Sequence, residues 1–276
     1  MSIDGQTRII AHVGHPTTTF RSPSIYNPYF ARIGLNVAVV PMGVRREDGN
    51  AALPVIFRMT NVIGALITMP LKIDVVAMLD EASPAVTIAG SCNAVRIGHG
   101  GRIEGHNVDG EGFVRALARN GVDPSNASAL VVGAGGVGSA IAASLSAAGI
   151  GSLTLVDTDT SRAQALAARL HAHAPRLLVA TGPSDPAAFD IVVNATPLGM
   201  NPDDPLPFDP DRLSPGSLVG EVVLAEEMTP LLRAAAARGC RVQTGLDMLF
   251  EMIPAYLEFF GLPTTTSDEL RAGARL

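Results

Sequence analysis

Gly133, Gly135 and Gly138 stand in the spacing G-x-G-x-x-G, inside the run LVVGAGGVGSAIAASLSAAGIGSLTLVD from Leu130 to Asp157. Glycines at this spacing suit one task, holding a pyrophosphate against bare backbone. The first permits a tight turn, the second admits the pyrophosphate, and the third lets a helix pack closely on a strand. The following helix then turns its free N–H groups and positive dipole end toward the phosphates. Ala134, Gly136 and Val137 fill the motif and belong to the same cradle. Asp157 closes the second β-rich run, where an acid accepts hydrogen bonds from the two ribose hydroxyls and repels a 2′-phosphate. The cofactor expected is therefore NAD rather than NADP. The competing explanation is a tight helix–strand turn that holds no ligand.

Hydride transfer at a nicotinamide needs a second group that takes or gives the hydroxyl proton. Lys72, in ITMPLKID, follows a β-rich run and a proline, where the carboxyl edge of a sheet would face a cleft. A lone lysine reads equally as a solvated charge. Asp109, in GHNVDGEG, precedes a helical run and reads equally as an N-cap. His171 and His173 are two apart in a helical run and point to different faces, a poor metal pair. His15 and His106 fit structural roles, and no metal site is expected. Cys92 and Cys240 lie outside any C-x-x-C spacing and read as reduced core thiols.

These residues need elements to carry them. Strand-like and helix-like patterns alternate, which makes the class α/β. TRIIAHVG, LNVAVVPMGV, GALITMP and AVTIAGSCNAVRI read as β-rich, with KIDVVAMLDEAS helical between the last two. GEGFVRALARNG reads as a helix leading to the nucleotide-binding strand. SRAQALAARLHAHAP follows as a helix, FDIVVNATP and SLVGEVVL as buried strands, TPLLRAAAARGC as a helix and RVQTG as a short strand. The apolar tail LDMLFEMIPAYLEFFG is helical beyond what a second domain needs, so it is expected to return to the first. Two domains follow: residues 1–108 plus 247–276 as a substrate-binding domain, and 109–246 as a Rossmann-type NAD-binding domain. The site is expected in a cleft between them.

Composition narrows the class further. At 276 residues there is room for two modest domains, and 47% hydrophobic with 17% charged residues excludes a disordered chain. A net charge of −6 with no basic tract argues against nucleic acid. No apolar run has membrane-spanning length, and MSIDGQTRII lacks a secretory h-region, so a cytoplasmic protein is expected.

Several further motifs, in order along nearly the whole chain, resemble the shikimate/quinate dehydrogenase family. RSPSIYN (Arg21 to Asn27) resembles its substrate loop, and GALITMPLK (Gly64 to Lys72) its catalytic-lysine segment. GSCNA is similar to G-A-V-N-T, GHNVDGEG to G-x-N-T-D-G-x-G, and NATPLGM to N-A-T-S-x-G-M. TPLL and GLDMLFEM match the closing motifs. The family oxidises a ring hydroxyl of a cyclic carboxylic acid to a ketone with NADP or NAD. The resemblance implies Lys72 as general acid/base and Asp109 holding and tuning the same hydroxyl. It places Ser22, Thr68 and Asn93 at the substrate. Asn194, Thr196, Pro197, Met200, Val222, Gly245 and Met248 would then lie around the cofactor.

Where the family's carboxylate grip has serine and histidine, this chain has Phe20 and Tyr26. Leu66 replaces the asparagine of N-V-T-x-P-x-K, Val108 the threonine of N-T-D-G, Met252 a glutamine and Leu224 a tyrosine. A buried hydroxyl left without a partner costs on the order of 1–3 kcal/mol. A trihydroxylated ring is thus expected to bind poorly. Arg21 carries a fork suited to a carboxylate, but in an extended loop it would face opposite to Ser22. Asp157, Thr158 and Asp159 stand where NADP-using relatives carry N-R-T. Arg162 reads as a surface residue or as a neighbour of the adenine or a phosphate. The expected activity is NAD-dependent, reversible oxidation of a small cyclic hydroxy acid. The alternatives are a true shikimate or quinate dehydrogenase with replaced contacts, and a non-catalytic NAD(H)-binding regulator. Retention of Lys72 and Asp109 favours an enzyme. A homodimer is left open.

Overall fold

The computed structural model describes residues 3–275. It divides into two compact units: residues 1–108 with 253–276, and residues 109–252. In the first, β1 (Arg8–Gly14), α1 (Ser22–Arg32), β2 (Val37–Gly43), α2 (Gly49–Ile56) and β3 (Val62–Ile67) lead to β4 (Glu81–Ala82), α3 (Pro84–Ala89), β5 (Ala94–Ile97) and β6 (Ile103–His106). The sheet order is β2-β1-β3-β5-β6-β4, with β1 parallel to β2 and β3, and β5 antiparallel to both β3 and β6. Its core gathers Val13, Leu53, Ile67, Leu71, Val75 and Val95, which leaves the carboxyl ends of β1 and β3 firmly backed.

The second unit holds α4 (Asp109–Arg119), β7 (Ser128–Val132), α5 (Gly136–Ala147), β8 (Ser152–Val156), α6 (Thr160–His173) and β9 (Leu178–Thr181). It continues with β10 (Ile191–Asn194), β11 (Leu218–Glu221), α7 (Pro230–Ala237) and β12 (Arg241–Gln243). The sheet runs β12-β11-β10-β7-β8-β9 and is parallel throughout, the doubly wound dinucleotide-binding order. Strand order reverses between β7 and β10, so the switch point lies beyond Val132 and Asn194. Near-continuous apolar strands such as SALVV and IVVN fit a sheet covered on both faces. The last long helix, α8 (Gly245–Phe259), begins in the second unit and ends in the first, and α9 (Ser267–Gly273) follows it.

Three local expectations are corrected. The AVTIAG of the β-rich run AVTIAGSCNAVRI is helical. The Ser83 hydroxyl accepts the Val86 N–H at 3.4 Å, Pro84 opens α3, and Gly90 closes it at φ 67°. Cap and punctuation outweigh β-branched propensity here. KIDVVAMLDEAS forms only a 3₁₀ turn, Asp74–Met78, before β4. Arg21 and Ser22 are not extended: Arg21 has helical backbone angles at the start of α1 and its side chain is exposed.

Candidate functional site

The glycine loop shows what each glycine does. Gly133 has φ 104°, and a Cβ there would come 2.7 Å from the Ala195 carbonyl oxygen. A Cβ on Gly138 would stand 1.8 Å from the Gly133 carbonyl oxygen, so loop and helix leave no room for a side chain. Around Gly135 nothing lies within 4 Å of a built Cβ, and no side chain caps the start of α5 there. The first and third positions are closed by packing and the second is open. A diphosphate fits that open position, against the uncapped N-terminus of a twelve-residue helix. Ala134, Gly136 and Val137 complete the loop around it.

Asp157 follows β8 and ties the loop down. One carboxylate oxygen accepts the Ala134 N–H at 2.8 Å and the other the Asp159 N–H at 2.9 Å. The oxygen bonded to Ala134 keeps a lone pair for a ribose hydroxyl, while the other also accepts the Thr158 hydroxyl at 3.5 Å. Asp159 caps α6 through the Ser161 N–H and pairs with Arg162 at 3.3 Å. The Ser161 bonds, more than Arg162, hold the Asp159 carboxyl below its usual range. Thr158 is exposed between the two acids. Two carboxylates and an arginine engaged by one of them form a poor seat for a 2′-phosphate.

After β10, Asn194 organises the next loop. Its Oδ1 accepts the Thr196 N–H and hydroxyl, at 3.1 and 2.6 Å, and its Nδ2 donates to the Leu198 carbonyl at 3.0 Å. Pro197 is followed by Gly199 at φ 102°, while Met200 is 54% exposed. Val222 donates its N–H to the Asn194 carbonyl at 3.3 Å. A Cβ on Gly245 would stand 2.1 Å from the Val223 carbonyl oxygen, and Met248 is buried nearby on α8. Glu221 was not expected. It ends β11 beside Asn194, is 1% exposed, and neither carboxylate oxygen makes a hydrogen bond of good geometry. Burial pushes its carboxyl up, against a smaller opposing pull from Thr229 and Asn194. Asp109, 3% exposed, opens α4, which packs on α5 so tightly that a Gly110 Cβ would lie 2.0 Å from the Ala140 carbonyl oxygen. Met252 fills the space over Gly112 in the same unit.

In the first unit Lys72 is half-buried, and its carbonyl accepts the Cys92 N–H at 2.8 Å. That bond sets the lysine segment beside the GSCNA turn. Asn93 is fully buried: its Oδ1 accepts the Val108 N–H at 2.9 Å and its carbonyl accepts the Ile67 N–H at 2.8 Å, while its Nδ2 has no partner. Leu66, which pairs with Ala94 next in sequence, and Val108, whose N–H meets the amide oxygen, are 3% and 0% exposed. Thr68 is half-buried at the end of β3, its N–H donating to the Val13 carbonyl, and Ser22 is half-buried at the first position of α1. Phe20 stacks on His12 with ring centroids 3.9 Å apart. Tyr26 is 1% exposed with an unpartnered hydroxyl, and burial raises its pKa.

His12 also went unnoticed in the sequence; the available signal was one polar residue in the apolar run IIAHV. Burial, with the Lys72 charge adding to it, pushes its imidazole down to about 4. Cys92 and Cys240 are buried, reduced thiols. His106 bonds Ser83 at 2.8 Å, His173 bonds its own helix, and His15 is exposed. Among the described residues no group of three metal-binding side chains forms, and no helix is long and apolar enough to cross a membrane.

Residues 13–95 match the family model of the shikimate dehydrogenase substrate binding domain, and residues 120–196 match the ThiF family model. The chain is 37% identical over 275 residues to a shikimate dehydrogenase (NADP(+)) of Rubrobacter xylanophilus, covering 98% of this chain and 96% of that one. A quinate/shikimate dehydrogenase (NAD(+)) of Corynebacterium efficiens is 41% identical over 211 residues, 74% of each chain. The crystal structure of shikimate 5-dehydrogenase from Listeria monocytogenes, in complex with shikimate and NAD, superposes with a TM-score of 0.91. It is 25% identical, covering 99% of this chain and 98% of that one. A nicotinamide-binding α/β unit joined to a substrate-binding unit, over almost the full length of such relatives, places this chain in the shikimate/quinate dehydrogenase family of CH–OH oxidoreductases.

Proposed function

We propose that this chain oxidises a ring hydroxyl of a small cyclic hydroxy acid to the ketone, reversibly, with NAD preferred and with fewer hydroxyls on the substrate than shikimate carries. The observation that carries the reading is Asn93: one buried amide donor without a partner, with apolar Leu66 and Val108 at neighbouring backbone positions. Such a wall serves one ligand oxygen well and leaves further hydroxyls unpaired. The acids after β8 support NAD, since Asp157 offers a lone pair to a ribose and Asp159 occupies Arg162.

Held by the glycine loop at the start of α5, NAD would supply the hydride acceptor. Lys72 takes the hydroxyl proton onto Nζ as general base, and Asp109 holds the same hydroxyl and orients it. Ser22, Thr68 and Asn93 bind the substrate, Phe20, Leu66 and Val108 shape an apolar side in the first unit, and Met252 of the second unit offers an apolar side chain where the family has a glutamine. The loop from Gly133 to Gly138 grips the pyrophosphate. Thr158 and Arg162 border the adenosine end. Thr196, Met200, Gly245 and Met248 lie around the nicotinamide, and Asn194, Pro197 and Val222 also serve the cofactor.

The test follows NADH absorbance with shikimate, quinate and a series of singly deoxygenated analogues. The analogues should give the higher kcat/KM. A shikimate value above about 10⁴ M⁻¹s⁻¹, the lower end of ordinary enzymes, with the analogues worse, would favour an ordinary shikimate dehydrogenase instead. Retained Ser22 and Thr68 are what favours that second reading.

A further inference from the structure

His12 sits in β1 directly opposite Leu66 of β3 in the parallel register, two residues before the strand's carboxyl end. Its ring lies nearly flat on Phe20, at an interplanar angle of 20°. It is only 7% exposed, yet its Nδ1 has no hydrogen-bond partner, and it lies close enough to Lys72 to feel that charge. Three of its surroundings, Phe20, Leu66 and Lys72, are therefore the ones read above as substrate-facing. A buried imidazole nitrogen is seldom left unsatisfied without a use for it. Here the flanking side chains are apolar, so neither can serve it.

We propose that His12 is a specificity-determining residue, its Nδ1 hydrogen-bonding one oxygen of the substrate in place of the contact that Leu66 withholds. The proposal rests on the reading of this face as the substrate pocket. The ring stays uncharged at neutral pH, so it serves as a neutral hydrogen-bonding group. Stacking on Phe20 fixes the ring plane, which makes the contact directional. A ligand bearing an oxygen at this corner gains; one lacking it leaves Nδ1 buried and unpaired, and is rejected.

The experiment compares wild type with His12→Val and His12→Asn, using NAD with shikimate, quinate and their singly deoxygenated analogues. His12→Val should fold, with an unchanged or higher Tm, because it removes a buried polar atom that has no partner. It should raise KM at least tenfold for the preferred compound with a smaller change in kcat. The analogue lacking the contacted oxygen should be affected less than about twofold, so discrimination between the two collapses. His12→Asn keeps a donor and should retain part of that discrimination. It also serves as the variant to read if valine disturbs the strand. If wild type reduces NAD with these compounds and both variants preserve the same ratio of kcat/KM among them, the role of His12 is overturned. If wild type turns over none of them, the reading of the pocket falls and this inference falls with it.

Discussion

Under the proposed reading cofactor choice turns on Asp157, whose two oxygens already bind the loop and its own following turn. The carboxylate is held in place before any ribose arrives, which favours a charge-sensitive choice between cofactors. Calorimetric titration should give NAD at least tenfold tighter binding than NADP. Asp157→Asn should narrow that gap, and equal or stronger NADP binding to the wild type would refute it. Lys72 belongs to the other unit, so its removal should separate chemistry from cofactor binding. Lys72→Ala should lower kcat by roughly two to four orders of magnitude while the calorimetric Kd for NAD changes less than about twofold. Near-normal turnover on the true substrate would remove Lys72 from the reaction. The glycine motif and Asp157 stand out in the sequence by type and spacing, whereas Lys72 and Asp109 stand out only through the family resemblance, since alone one reads as a solvated charge and the other as an N-cap. His12 and Glu221 were not, because what distinguishes them is burial without a partner, a property of the packed chain alone.

The elements of the second unit were legible almost throughout, since buried parallel strands and the alanine-rich helices alternate at regular intervals. Its edge strand β9 was missed: exposed Leu178 and partly exposed neighbours carry no buried-strand pattern. The first unit was harder, because α1 and α2 contain prolines and α3 contains valine and isoleucine. For α3 the Ser83 cap overrides residue preference, while α1 and α2 form around their prolines without a side-chain cap. The glycine loop offers a test at this scale. Gly138→Ala places a methyl 1.8 Å from backbone oxygen, so it should destabilise the chain by about 3 kcal/mol, the upper range for overpacking. Gly135→Ala meets open space and should change stability by less than about 1 kcal/mol, while weakening NAD at least tenfold. Urea unfolding and calorimetry on both variants read the two effects. A stable Gly138→Ala protein, or a Gly135→Ala protein with normal NAD affinity, would contradict this division of labour.

For the whole molecule, two buried ionisable groups bound the pH range of stability from opposite sides. His12 has its pKa lowered from 6.5 to about 4, so the folded state resists a proton that the unfolded chain takes up. Stability from this group is complete above pH 6.5 and falls as pH drops toward 4. Glu221 has its pKa raised, so its contribution is present below the ordinary glutamate range and is lost as pH rises through the folded value. The Tm advantage of Glu221→Gln over wild type should therefore grow from pH 4.5 to pH 8. That of His12→Asn should grow from pH 7 to pH 4. Flat differences across these ranges would show that neither group is buried as described.

The first unit closes on residues that come last in the chain. Arg96 donates to the Phe259 carbonyl at 2.9 Å, the Tyr29 hydroxyl to the Pro263 carbonyl at 2.8 Å, and the Phe260 ring lies 2.6 Å from a Cβ built on Gly64. The amino-terminal sheet is therefore expected to complete its packing only once residues 253–263 have been made, while the inserted residues 109–252 carry all the strands of their own sheet. Nascent chains stalled after residue 252 plus an exit-tunnel spacer should protect the inserted unit from protease and leave residues 1–108 open to it. Equal protection of both would mean that the amino-terminal sheet needs no help from the tail.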